Sequence, residues 1–331
     1  MNFWQKIKKE KNGPLMVLAP MADVTDPAFR RMIATYSRPD AIWTEFVSAD
    51  GLFKGGYDAL INDLRFSEIE RPVIVQFFTS DPVMMEKAAR LALELGFDGI
   101  DINMGCPDKS VEKQGAGAGL IKNPKLAQDI IRAAQRGAIS EEKSIPVSVK
   151  TRIGYNKNEL ETWLPAILET KPALVTVHAR TRKEMSLVPA RWEHVARAVE
   201  IRNELSPDTL IFGNGDVKDI AHGRELCEQT GADGAMLGRA IFGNPWLFSD
   251  YTPTIEEKLK VMVEHTKLFE EIVGPKPPLG CGKSFAVMKK HYKAYVNGFD
   301  GAKELRMELM EAEDASQVAD IVDNFLKNTP L

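Results

Sequence analysis

Cys106 lies between Gly105 and Pro107 in the segment DINMGCPDKSVEKQGAGAGL (Asp101–Leu120), after an apolar run and ahead of a glycine-rich stretch. A thiol on so constrained a turn is either a small buried residue or a group presented for chemistry. Other reactive types recur at the ends of short apolar runs: Gln76, Asn103, Lys150 with Arg152, His178 with Arg180, Asn214 with Gly215, and Gly238 with Arg239. A lysine within an apolar run is costly unless paired. Lys150 therefore calls for a bound anion, or else an ion pair to Glu45 or Asp101. Gln76 can bond a planar heterocycle through both ends of its amide, or belong to a polar layer of the fold. A lone histidine at such a place is commonly structural, but beside Lys150 and Arg180 His178 leans toward function. Gly213-Asn214-Gly215 and Gly238-Arg239 suit an anion, because glycine lets backbone N–H groups approach it closely. The sequence has no CxxC pair and no HExxH motif, so no metal centre is expected.

These residues need a scaffold that brings them to one place. Eight short β-type runs occur, at Leu15–Pro20, Ala41–Phe46, Pro72–Phe78, Gly99–Gly105, Ile145–Arg152, Ala173–Arg180, Thr209–Gly215 and Gly234–Ala240. Helical spacing separates them, at Asp81–Leu95, Pro124–Gly137, Glu159–Thr170, Trp192–Leu205 and Ile220–Gly231. Alternating strands and helices predict a parallel sheet, and eight units predict an α/β fold of the (β/α)8 TIM-barrel type. An open doubly wound sheet is the rival, but no GxGxxG follows the first run. The loops at the C-terminal strand ends build the site of such a barrel, which gathers the polar positions at one mouth. Phosphate commonly binds after strands seven and eight, where the two glycine turns fall. From Ile255 onward only helical spacing remains, at Lys283–Val296, Ala302–Met310 and Ala315–Leu326, with a Pro- and Gly-rich loop over Gly274–Gly282. Two domains are expected: a catalytic barrel over residues 1–250 and a small helical domain over 251–331.

The bulk numbers agree with a globular enzyme. The chain has 331 residues, 44% hydrophobic and 27% charged, enough for a large domain and a smaller one. A net charge of −4 excludes a global cationic field, so any nucleic-acid surface is local. Three scattered cysteines argue against a disulfide framework and fit a reducing cytoplasm. The N-terminus is basic but has no apolar signal core, and no apolar run is long enough to span a bilayer.

In this order the pieces resemble the tRNA-dihydrouridine synthases. The matching segments are APMADVTDPAFR (Ala19–Arg30), VQFFTSDP (Val75–Pro82), DINMGCP…GAGAGL (Asp101–Leu120), VKTRIG (Val149–Gly154), VHARTR (Val177–Arg182), GNGDV (Gly213–Val217) and GADGAMLGRAIFGNPWLF (Gly231–Phe248). MKKHYKAYVNGFDGAKELR (Met288–Arg306) matches more weakly. The chain departs from the family at Thr79, often glycine there, and over Glu184–Trp192, usually glycine-bearing. The resemblance implies a flavoenzyme barrel that binds FMN and is re-reduced by NADPH. It implies that Pro20, Met21 and Ala22 line the flavin and that Gln76 and Lys150 meet its pyrimidine edge. Asn214, Gly215, Asp216, Gly238 and Arg239 would hold the phosphate, with Asn103 and His178 beside the ring. Arg152 and Arg180 would serve the substrate, and Cys106 would give a proton to C5 of uracil as hydride arrives at C6. A thiol acting as an acid must stay protonated at neutral pH, so Cys106 is expected to lack a depressed pKa.

A uracil within folded RNA must be extruded to reach a barrel mouth. Lys276–Arg306 offers a cationic surface of seven lysines and arginines against two acids. Lys283, Lys289, Lys290, Lys293 and Arg306 are the expected tRNA contacts, with Tyr292 and Tyr295 as stacking platforms. Lys6, Lys8, Lys9 and Lys11 of the N-terminal arm add to them. A monomer acting on tRNA, away from membranes, is expected. Three rivals remain open. One is a flavin barrel acting on a free dihydroorotate-like molecule. Another is a flavin-free lyase or aldolase with Lys150 as Schiff-base amine. The third is a non-catalytic RNA-binding scaffold.

Overall fold

The computed structural model describes residues 3–276 and 281–329. Residues 277–280 of the expected Gly274–Gly282 loop lie outside them. Eight parallel strands form a closed barrel in sequential order: β1 (Leu15–Leu18), β2 (Ile42–Ser48), β3 (Val73–Phe78), β4 (Gly99–Met104), β5 (Val147–Arg152), β6 (Leu174–His178), β7 (Leu210–Asn214) and β8 (Gly234–Leu237). Every expected run holds one strand. Around them pack α2 (Pro27–Tyr36), α3 (Pro82–Glu94), α4 (Pro124–Gly137), α5 (Leu160–Leu168), α6 (Glu193–Leu205) and α7 (Ile220–Thr230), with α1 (Phe3–Glu10) ahead of the barrel. Three of these helices open on an Asp-Pro or Asn-Pro pair. Asp26, Asp81 and Asn123 accept the N–H groups of Phe29, Val83 and Leu126, while proline occupies the first turn, where no N–H is needed.

Side chains alternate between the lumen and the helix layer. The lumen is apolar below and polar above. Leu15, Val17, Trp43, Ile74, Leu174, Leu210 and Phe212 fill its lower part. Trp4 of α1 closes that end, stacked on Trp43 and edge-on to Phe212 with 5.6 Å between each pair of ring centroids. Two lysines of the basic arm are engaged within the protein. Lys8 pairs with Asp233 and Lys11 with Asp40, both just before strands, so the arm plugs the end opposite the polar mouth.

After the barrel come α8 (Ile255–Ile272), α9 (Lys289–Tyr295), α10 (Ala302–Glu311) and α11 (Ala315–Asn328). They enclose their own apolar core, which Ala28 and Met32 of α2 and Trp246 complete. The expected helix Lys283–Val296 divides into a 3-10 turn, Phe285–Met288, and α9, because Ser284 accepts the Ala286 N–H and starts a tighter turn. Among the described residues no helix is long and apolar enough to cross a membrane.

Candidate active site at the C-terminal mouth of the barrel

Strand register puts the polar residues on two adjoining levels near the C-terminal strand ends, two residues apart. Asn103 is opposite Lys150, Arg152 opposite His178, and His178 opposite Asn214. A cavity of 210 Å³ opens there, lined by Pro20, Met21, Lys150, His178, Ser186, Asn214, Gly215, Gly238 and Arg239 among others. Ala22 is exposed on the adjoining turn and does not line it. A larger cleft, between Lys6, Lys143 and Lys171, opens at the opposite end of the barrel and holds none of these groups.

Lys150 has no ion pair among the described residues; its Nζ donates to Asn214 Oδ1 at 3.2 Å. Burial, helped by nearby Arg152, pushes its pKa down to about 8. The same burial and four surrounding cations hold His178 well below its ordinary value, so the ring is neutral. Arg180 Nη1 lies 3.1 Å from His178 Nε2. Arginine only donates, so Nε2 accepts and Nδ1 carries the proton.

The anion cradle follows β7 and β8. Gly215 takes φ +122°, where a Cβ would meet Ala190 at 2.8 Å and His178 at 3.2 Å. Trp192 packs over Gly213, whose missing side chain makes room, and donates to the Gly215 carbonyl at 2.9 Å. Among the described residues the backbone N–H groups of Gly215, Asp216, Gly238 and Arg239 donate to no protein acceptor. The cradle is thus rich in donors, which suits a phosphate. Asp216, expected to hold the phosphate, has a carboxylate committed elsewhere. It accepts from Arg180 and, at 2.8 Å, from Arg239, which lowers its pKa. A carboxylate repels a phosphate, so its side chain orients Arg239 rather than touching the anion.

Cys106 is half-buried on the turn after β4. Asn103 Oδ1 accepts the N–H groups of Gly105 and Cys106, at 3.1 and 2.9 Å. Ala118 N–H donates to the Cys106 carbonyl at 3.0 Å, folding the glycine-rich stretch back over it. Gly117, at φ +58°, is required there, because a Cβ would come within 2.8 Å of that carbonyl. Burial raises the thiol pKa. Its environment therefore favours the protonated form expected of an acid.

The family model for dihydrouridine synthases matches residues 17–329. A probable tRNA-dihydrouridine synthase of Staphylococcus aureus is 37% identical over 98% of this chain and 95% of its own length. A second, of Bacillus subtilis, is 38% identical over 98% and 96%. The chain belongs to the dihydrouridine synthase family. It is a flavin-dependent oxidoreductase. Two solved structures are also similar in outline: a variant of NCR from Zymomonas mobilis has a TM-score of 0.47 at 15% identity, covering 73% of this chain and 90% of its own. Morphinone reductase has a TM-score of 0.48 at 12%, covering 70% and 84%.

Several expected contacts of this dihydrouridine synthase are engaged otherwise. Gln76 is fully buried with both amide ends in use: Nε2 donates to Asp101 at 2.5 Å and Oε1 accepts from Asn103 at 3.0 Å. It belongs to a polar layer beneath the mouth, because Asp101, pushed up to about 6 by burial, demands donors there. Arg152 is a buried support of loops, and Arg180 both lines the cavity and supports a loop. Arg152 donates to the carbonyls of Gly105, Thr181 and Met185, at 2.7, 3.0 and 3.0 Å. Arg180 donates to Val188 O at 2.6 Å. Thr79 fills its departure from the family by donating to Asp50.

In the helical part, Lys283 is not a surface cation. It pairs with Glu45 at 2.5 Å and Asp63 at 3.0 Å, tying these helices to β2. Burial opposes its charge, but the two carboxylates outweigh this and raise its pKa. Lys289 donates to the Met310 carbonyl and Arg306 to Val296 O. Tyr292 and Tyr295 are core residues, at 0% and 2% exposure, so neither is a stacking platform. Lys290 and Lys293 remain exposed. Sequence reasoning missed Ser186, which faces the cavity from a loop with no local motif.

Proposed function

We propose that the protein is a tRNA-dihydrouridine synthase that reduces the C5=C6 bond of a tRNA uridine, with FMN as bound cofactor and NADPH as its reductant. The observation that carries this reading is the pairing of two environments at one mouth. A donor-rich anion cradle follows β7 and β8, and a thiol whose pKa burial raises follows β4, on the other side of the closed barrel. The donor set fits FMN: the free backbone N–H groups and Arg239 suit its phosphate, and Lys150 suits the anionic edge of its ring. When bound, the flavin supplies the hydride for C6 of uracil.

The chain's own residues do the rest. Cys106 Sγ holds the proton that C5 requires, and Asn103 fixes the turn that aims it. Neutral His178, a proton on Nδ1, offers a hydrogen bond to a carbonyl oxygen on which charge develops. Lys150 adds positive charge in the same cavity. The barrel over residues 1–250 carries the chemistry, while the helices over 251–331 meet tRNA through Lys290 and Lys293.

The test is an absorption spectrum of the purified protein, followed under anaerobic NADPH and then with unmodified tRNA. Flavin bands that bleach with NADPH and return on adding tRNA are expected. A colourless protein unable to take up FMN overturns the reading. Bands that return with dihydroorotate-type acceptors but not with tRNA replace it with a small-molecule enzyme.

A further inference from the structure

The loop after β6 ends in an exposed apolar tip. Leu187 is 84% exposed, Met185 46% and Val188 36%, while Ser186 between them faces the cavity. Exposed aliphatic groups clustered at a site rim mark a contact surface. This tip is held rigidly. Buried Arg152 grips the carbonyls of Thr181 and Met185, and buried Arg180 grips that of Val188. Met185 takes φ +52°, in the left-handed region. Arg182 clasps Glu112, which sits on the segment following Cys106, and stacks with Lys122 about Tyr155. The tip thus keeps a fixed place relative to the thiol. Exposed Lys183 beside it and Lys109 and Lys113 on the clasped segment supply charge that complements a phosphate backbone.

We infer that Leu187, flanked by Met185 and Val188, is a wedge that enters the stack vacated when the target uridine is extruded from folded tRNA. The inference rests on the tRNA reading above. Apolar side chains inserted between bases are a general means of holding a nucleic acid unstacked. A base that leaves its stack must be compensated, and such a wedge fills the gap it leaves.

The experiment compares wild type, Leu187→Ser and Leu187→Met on unmodified tRNA and on a short unstructured uridine oligonucleotide. A 2-aminopurine beside the target uridine reports unstacking independently of reduction. Leu187→Ser is expected to lower kcat/KM on tRNA by roughly tenfold or more, since the extruded state loses the group that holds its stack open. Its rate on the oligonucleotide and its flavin reduction by NADPH stay unchanged. The 2-aminopurine signal seen with wild type falls, and Leu187→Met restores it. Equal losses on both RNAs, or an unchanged 2-aminopurine signal, overturn the wedge while leaving the substrate reading intact. Wild type inactive on both RNAs overturns that reading and the wedge with it.

Discussion

The side-chain oxygen of Asn103 accepts the backbone N–H of Cys106 at 2.9 Å, and its amide nitrogen reaches Gln76 at 3.0 Å. The thiol-bearing turn is thereby tied to the fully buried Gln76–Asp101–Ser148 layer of the barrel, where Ser148 donates to Asp101 at 2.7 Å. Asn103→Ala leaves two N–H groups without their acceptor, at about 1–3 kcal/mol for each that stays buried. We expect turnover to fall by roughly 10–100-fold through misplacement of the thiol. Asn103→Asp keeps the acceptor oxygen but not the donation to Gln76, and should fall between. Single-turnover reoxidation of the reduced flavin by tRNA measures both. Unchanged turnover in Asn103→Ala would show that the loop needs no such tether.

Burial lifts the Cys106 thiol above its ordinary value. The acid form is the one required, so the sign is fixed. Reoxidation by tRNA should be level through neutral pH and decline as pH rises through the raised thiol pKa. Alkylation of Cys106, which needs the thiolate, should show the opposite trend, with exposed Cys281 reacting first. Cys106→Ala should retain flavin and lose reoxidation by tRNA. A rate that climbs with pH, in step with alkylation, would instead assign a thiolate nucleophile.

Lys150 in the free protein has its pKa pushed down to about 8, by burial before any other cause. A bound anion needs the charged form. FMN affinity of the apoprotein should therefore be constant below pH 8 and weaken as pH rises through it. Lys150→Met should bind FMN more weakly and remove that dependence. Titration of apoprotein with FMN by flavin fluorescence, from pH 6 to about 9.5, is the measurement. A slope that survives in Lys150→Met would move the titrating group elsewhere.

Much of this was legible before the structure. Strand runs and Asx-Pro helix starts follow from local chemistry, so all eight strands and the helix Pro124–Gly137 fall where the sequence expects them. The mouth residues follow, because a closed barrel brings the strand ends together. What a side chain does once there was less legible. Gln76, Arg152 and Arg180 have the types of ligand-binding residues, yet each is drawn into a hydrogen bond with a group far away in sequence. Lys283 lies in a basic run that reads as a tRNA contact surface, but its partner Glu45 is 238 residues distant. Tyr292 and Tyr295 alternate with lysines, and only the packing of α9 on α8 shows that they face inward. Long-range pairing decides these cases, and no local pattern records it.

Two lysines ten residues apart should accordingly behave in opposite ways. Lys283 is mostly buried between Glu45 and Asp63, and Lys293 is exposed on α9. Lys283→Met strands two carboxylates at the junction of the helices with β2, which costs roughly 3 kcal/mol or more. Its thermal midpoint should drop by several degrees, with the salt dependence of tRNA binding unchanged. Lys293→Ala should leave the midpoint in place and weaken tRNA binding. Its plot of log affinity against log salt should lose up to about 0.9 in slope, the share of one phosphate contact. Differential scanning fluorimetry and binding across a salt series read the two effects separately. If Lys283→Met flattened the salt slope and spared the midpoint, Lys283 would leave Glu45 to grip phosphate when tRNA docks, and the junction would be remade in the complex.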